Sequence, residues 1–172
     1  MTAFTRPLIL IGPPGSGKTT TGKYLAKKLS IPFYDLDEMI EVKFKVSIPE
    51  LFKNGQESYF RVLEMQCLKE FSAKPKSGRY VLATGGGVVL HPLNLYVLKK
   101  MGRLVYLKAK YQDLQTRAVS DDRPVLKGKT REDIEALLLA REPYYKECDQ
   151  TILIRGKTET KICEEIIGRV HG

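Results

Sequence analysis

Gly12-Pro-Pro-Gly-Ser-Gly-Lys-Thr19 sets three glycines, a lysine and a hydroxyl at the spacing G-x-x-x-x-G-K-[ST]. An apolar run, Leu8-Ile-Leu-Ile11, precedes it and a helix-like stretch from Thr20 follows, the context that gives this pattern meaning. Glycine permits backbone angles that a Cβ forbids, so successive N–H groups turn inward and, with the helix N-terminus behind them, cradle a phosphate. Lys18 then reaches the β- and γ-phosphate oxygens and the Thr19 hydroxyl ligates Mg²⁺. The expected ligand is a nucleoside triphosphate held by Gly12, Pro13, Pro14, Gly15, Ser16, Gly17, Lys18, Thr19 and Thr20. A plain Gly-rich turn is the alternative.

Five further clusters carry chemistry. Asp35-Leu-Asp37 follows a β-rich run, and alternate residues of an extended chain point the same way, so both carboxylates can enter one site. One suits Mg²⁺ and the other a hydroxyl proton; two solvated carboxylates, with Asp35 capping a helix, are the simpler account. No Walker-type Asp follows the run Tyr80–Ala83, which leaves Asp35 as the carboxylate for the metal. Arg61 and Glu64 stand at i and i+3 on one helix face, either as a surface ion pair or as an Arg held to aim its fork at an anion. Gly85-Gly86-Gly87 marks a close approach to the backbone, unusual angles, or a flexible turn.

Asp121-Asp-Arg-Pro124 lies in a polar segment that suits a lid carrying Arg123 over the phosphates, or an idle loop. Arg141 precedes Pro143, which is expected to kink or end its helix and so offer Arg141 to a pocket. Tyr144 and Tyr145 fit core or pocket equally, Tyr34 fits the core, and His91 and His171 show no partner pattern.

These residues need a scaffold that brings them to one edge. Short β-rich runs at Leu8–Ile11, Ile31–Tyr34, Tyr80–Ala83, Leu104–Leu107 and Thr151–Ile154 alternate with helical stretches. The helical segments are Thr20–Leu29, Glu57–Phe71, Asn94–Met101 stopped by Gly102, a segment capped by Thr130 and Asp133, and Glu159–Val170. Strands this apolar are buried on both faces, which predicts a parallel sheet between helical layers with ligands at the strands' carboxyl ends.

The chain has 172 residues, the length of one domain with a real core, and its composition is ordinary for a soluble globular protein. No run reaches the roughly 20 apolar residues of a membrane span, and the N-terminus reads as lacking a signal peptide. Three widely spaced cysteines read as free thiols in a reducing cytoplasm. The net charge of +9 is spread over short clusters such as Lys43/Lys45 and Lys99/Lys100, without interleaved aromatics. That suits anionic small substrates and argues against nucleic acid.

Taken in order, the motifs resemble shikimate kinases, whose pattern runs P-loop, D-x-D, F-R-x-x-E, G-G-G, a lid R-P and a late R-x-P-x-Y. Here they are Gly12–Thr19, Asp35/Asp37, Phe60/Arg61/Glu64, Gly85–Gly87, Arg123/Pro124 and Arg141/Pro143/Tyr145. The resemblance implies an α/β, P-loop NTPase-type three-layer sandwich: a five-stranded parallel sheet flanked by helices, as in nucleoside-monophosphate kinases. It implies a single unit with a lid at about 119–129 and a helical substrate-binding region at about 36–72. It implies transfer of the ATP γ-phosphoryl group to the 3-hydroxyl of shikimate in aromatic amino acid biosynthesis, with Mg²⁺, by a cytoplasmic monomer.

Carried over by position, Lys18, Asp37 and Arg123 are catalytic, and Thr19 and Asp35 serve the metal, Asp35 through water. Asp37, Arg61, Gly85, Gly86, Gly87 and Arg141 hold the acceptor, and Arg117, Arg123 and Lys157 attend the nucleotide. Two departures from the family's spacing stand out. The stretch Arg117–Arg123 is one residue shorter, and Gln56 adds one between Gly55 and Phe60. The rivals are another small-metabolite kinase, such as a gluconate kinase, and a P-loop protein that binds without turnover.

Overall fold

The structure, a computed structural model, describes residues 5–74, 78–117, 126 and 128–170. Five strands, β1 (Leu8–Ile11), β2 (Phe33–Asp35), β3 (Val81–Ala83), β4 (Arg103–Lys108) and β5 (Gln150–Leu153), form one sheet in the order β2-β3-β1-β4-β5. Every pairing is parallel. Among the described residues eight α-helices connect and cover them: α1 (Lys18–Leu29), α2 (Leu36–Phe44), α3 (Ile48–Lys53), α4 (Glu57–Ala73), α5 (Pro92–Met101), α6 (Tyr111–Arg117), α7 (Arg131–Tyr145) and α8 (Glu159–Val170).

The strands' alternation divides the core in two. Leu8 and Leu10 pack with Val81, Val105 and Ile152 against α1 and α8, while Ile9 and Ile11 pack with Leu82, Leu104 and Tyr106 against α2, α4 and α5. All four residues of β1 are fully buried, so each contributes about 1.5–3 kcal/mol of hydrophobic burial. A three-layer α/β sandwich is the result.

The limits of several elements differ from those read in the sequence. Strand β2 begins at Phe33, because the Ile31 N–H is spent on the Ala26 carbonyl where α1 closes over Ser30, and Pro32 has no N–H to give. Asp35 and Asp37 are not both extended: Asp35 ends β2 and caps α2, accepting from the Asp37 and Glu38 N–H groups, and Asp37 lies in the first helical turn. Helix α7 runs through Pro143 to Tyr145 instead of breaking there. The carbonyl that Pro143 leaves unbonded belongs to Leu139, whose side chain is largely exposed, so water can satisfy it. At the start of α7 the expected reciprocal cap is present, Thr130 and Asp133 each bonding the other's N–H. Gly102 does end α5, but in extended backbone; an added Cβ would lie 2.4 Å from the Pro7 carbonyl oxygen, so close approach requires the glycine.

Candidate active site

Three adjacent strand ends build the site. The Gly12–Gly17 loop leaves β1, Thr84–Gly87 leaves β3, and Asp35–Asp37 leaves β2; the registers Leu10↔Ala83 and Asp35↔Ala83 bring them level. Thr84 stitches the first two together, giving both its N–H and its hydroxyl to the Leu10 carbonyl at 3.2 and 2.9 Å.

In the loop, Gly12, Gly15 and Gly17 have φ of 149°, 87° and 85°, the left-handed values that favour glycine. The first turn of α1 has neither a side-chain cap nor an acidic residue, which leaves its N–H groups and dipole to an anion. Lys18 lies under the loop, donating to the Gly12 and Pro13 carbonyls at 2.8 and 2.9 Å. The buried Ser16 hydroxyl has no hydrogen-bond partner among the described residues. Thr20 is exposed beside this loop.

The triple glycine is a matter of contact, not of angle. An added Cβ on Gly86 would sit 2.5 Å from Pro14 Cδ, one on Gly87 2.3 Å from the Arg61 guanidinium, and one on Gly85 2.8 Å from Glu64 Oε1 and 3.1 Å from Asp37 Oδ1. None of these three glycines has a left-handed φ. The loop is therefore pressed between the phosphate loop and the side chains of α2 and α4.

Arg61 donates to Glu64 at 2.9 Å and to Glu57 at 3.0 Å. Glu64 is fully buried, so the pair is not a surface contact; Glu64 anchors the guanidinium at the cavity wall. Asp37 Oδ1, Glu64 Oε1 and Arg141 Nη1 are buried without hydrogen-bond partners among the described residues; of the three residues Asp37 lines the site's cavity, whereas Glu64 and Arg141 lie behind its lining. Burial, then the Asp35 and Glu64 charges, raise the Asp37 pKa from 3.8 to about 7 against the pull of Lys18 and Arg61. Burial likewise raises that of Glu64, opposed by Arg61.

One cavity of about 120 Å³ joins these parts, lined by Lys18, Thr19, Asp35, Asp37, Arg61 and Gly85–Gly87, with Ile48, Phe52 and Phe60 as its apolar wall. The sequence reading missed Ile48 and Phe52. Ser47 followed by Pro49 is a helix-start pattern that would have revealed α3, which carries them. Gln56 falls in the turn after α3, where Gly55 takes φ of 68° and Gln56 opens α4.

Lys157 stands apart, in the turn after β5, with its ammonium on Glu165. Arg123, Pro124 and His171 lie outside the described residues, as does the Arg117 side chain and all of the 119–129 segment but positions 126, 128 and 129.

Among the described residues no group of three or more His, Cys, Asp or Glu could hold a metal ion. Mg²⁺ does not need one, since it binds through one or two protein oxygens, substrate phosphates and water. Thr19 Oγ1 and Asp35 Oδ2, 2.6 Å apart at the foot of the phosphate loop, fit that role.

A parallel sheet, a phosphate loop and an acid in one cavity with a guanidinium define a P-loop kinase of small molecules. The family model for shikimate kinase matches residues 14–171. A shikimate kinase of Dictyoglomus turgidum is 40% identical over 170 residues, covering 95% of this chain and 96% of that one. One from Caldanaerobacter subterraneus is 39% identical over 162 residues, covering 93% of each. Among solved structures, the shikimate kinase of Acinetobacter baumannii in complex with shikimate superposes with a TM-score of 0.85 at 34% identity, covering 97% of this chain and 94% of that one. The chain belongs to the shikimate kinase family, enzymes that phosphorylate shikimate with ATP in aromatic amino acid biosynthesis.

Proposed function

We propose that this chain transfers the γ-phosphoryl group of ATP to the 3-hydroxyl of shikimate, with the acceptor in the cavity between the phosphate loop, α2 and α4. The observation that carries this reading is that Asp37 and Arg61 line the same cavity as Lys18 and Thr19. A base, an anion clamp and a phosphate clamp thereby surround one small polar guest.

The Gly12–Thr19 amides and Lys18 hold the triphosphate, Lys18 exchanging its two loop carbonyls for phosphate oxygens. Thr19, with Asp35 through water, holds Mg²⁺, which supplies charge neutralisation at the phosphates when bound. Asp37 orients the acceptor and takes the proton from the attacking hydroxyl. Arg61 and Arg141 grip the acceptor carboxylate with forked donors, and the N–H groups of Gly86 and Gly87 complete the cradle. Gly85 leaves room for Asp37 and Glu64 beside it. Arg123, Arg117 and Lys157 attend the nucleotide in the same reading, Arg123 as part of a lid at about 119–129. Phosphoryl transfer asks a protein mainly for position and charge, which this set provides.

The enzyme is proposed to work as a monomer in the cytoplasm, without nucleic acid or membrane. The three free cysteines support a reducing compartment. No helix among the described residues is long and apolar enough to cross a membrane.

The test is the fate of the phosphate. Phosphorus NMR of a reaction with ATP, Mg²⁺ and shikimate is expected to give one monoester resonance coupled to the C3 proton. A monoester at another carbon would overturn the orientation assigned to Asp37.

A further inference from the structure

Behind the glycine loop stands a second polar assembly, built on α7 and β4. Tyr145, almost fully buried, donates its hydroxyl to the Gly86 carbonyl at 2.5 Å. Its ring stacks on Tyr106 of β4, with centroids 4.9 Å apart and planes 22° from parallel. The Tyr106 hydroxyl donates to Glu142 Oε2 at 2.8 Å, and Lys108 donates to the other oxygen of Glu142 at 2.5 Å. The stack is thus fixed from both the strand and the helix. Arg141 precedes Tyr145 by one turn on the same helix, so one face of α7 carries both the guanidinium and the phenol.

The Gly86 carbonyl and the Gly87 N–H belong to one peptide unit, and the chain has no cis bond among the described residues. In a planar trans peptide those two groups point in opposite directions. Tyr145 does not line the cavity, whereas Gly86 and Gly87 do. Holding the oxygen on the Tyr145 side therefore turns the N–H toward the cavity. A peptide between two glycines is also the kind that rotates most freely, since neither residue has a Cβ to oppose it. Rotated, it would put a carbonyl oxygen beside Arg61, where an anion is to bind. An anchor on the oxygen prevents that.

We infer that Tyr145 is a positioning residue for the acceptor: its hydroxyl locks the Gly86–Gly87 peptide so that the Gly87 N–H faces the acceptor's carboxylate. This rests on the reading of that cavity as a carboxylate cradle. Burial pushes the phenol up to about 12 against the pull of Arg141, so the hydroxyl stays a donor throughout the working pH range. Tyr145 is not among the residues that line the cavity and acts through its partners: its hydroxyl donates to the Gly86 carbonyl, and the Arg141 side chain lies against the same hydroxyl. The hydroxyl on the other ring of the stack, that of Tyr106, has no such path.

The experiment pairs Tyr145→Phe, which keeps the ring and the stack, with Tyr106→Phe, which removes the neighbouring hydroxyl. Each is tested by calorimetric binding and by steady-state kinetics against two acceptors: shikimate, and the alcohol in which its carboxylate is reduced to CH₂OH. Thermal melts accompany both. Tyr145→Phe is expected to weaken shikimate binding about tenfold, the size of one lost hydrogen bond to a charged group, with kcat and ATP binding within about twofold. Its binding of the alcohol should stay at the parent value. Tyr106→Phe should leave shikimate binding unchanged whatever it does to the melt.

Equal loss on both acceptors, or loss in both variants, would mean that the hydroxyls only support the fold, and the inference falls. No loss in Tyr145→Phe would overturn it as directly. If the parent enzyme itself bound shikimate and the alcohol equally, the carboxylate cradle would be wrong and the inference would fall with it, a result legible without any variant.

Discussion

Thr19 Oγ1 donates to Asp35 Oδ2 at 2.6 Å, joining the first turn of α1 to the end of β2. The other oxygen of the same carboxylate caps α2, the helix that carries Asp37. One side chain thus ties the proposed metal corner to the proposed base. Asp35→Asn keeps an oxygen for the cap but loses the charge. Its apparent Mg²⁺ requirement, read from initial rates, should rise about tenfold or more with the melting temperature little changed. Asp35→Ala should show the same Mg²⁺ defect and lose a further ~1 kcal/mol of stability with the cap.

Asp37 accepts a proton only as a carboxylate, and its pKa near 7 puts that form at a disadvantage in acid. Hence kcat/KM for shikimate should rise with pH through about 7, and this limb should vanish in Asp37→Asn, whose kcat falls at least about tenfold while ATP binding holds. The stability effect has the opposite sign. A folded pKa above the unfolded value of 3.8 means a contribution to stability that is complete below about 4 and lost as pH rises through about 7. Asp37→Asn should therefore melt higher than the parent at pH 8, the gap closing toward pH 5. Equal melts at pH 8 would contradict the buried, crowded carboxylate.

Gly87 and Arg61 meet without room for a methyl group, since a Cβ on Gly87 would lie 2.3 Å from the guanidinium. Gly87→Ala must displace Arg61 from its place, and the KM for shikimate should rise by an order of magnitude while ATP binding is spared. Arg61→Lys should act on the same parameter, because an ammonium cannot reproduce the bidentate fork. A change confined to the ATP KM in either variant would remove Arg61 from the acceptor side.

Much of this was legible in the sequence because the signals are local. The phosphate loop carries its φ requirements in its glycines, the Thr130–Asp133 cap is written in four residues, and apolar runs betray doubly buried strands. Less legible were features that depend on what arrives from elsewhere. Whether Arg61–Glu64 was a surface pair could not be read from i, i+3 spacing; it depends on Glu64 being buried beneath the glycine loop. Asp35 and Asp37 were expected to converge as neighbours in extended chain, yet they converge because one caps the helix that holds the other. Tyr145 fitted core or pocket equally; its partners, Gly86 and Tyr106, lie 59 and 39 positions away in the chain.

The central claim is that one cavity couples ATP to shikimate. Release of ADP from MgATP, measured with shikimate, with gluconate and with no acceptor, tests it most directly. Rapid release with shikimate alone is the predicted result. Release driven by gluconate, or equal release in all three, would contradict the acceptor site described for Asp37, Arg61 and Arg141.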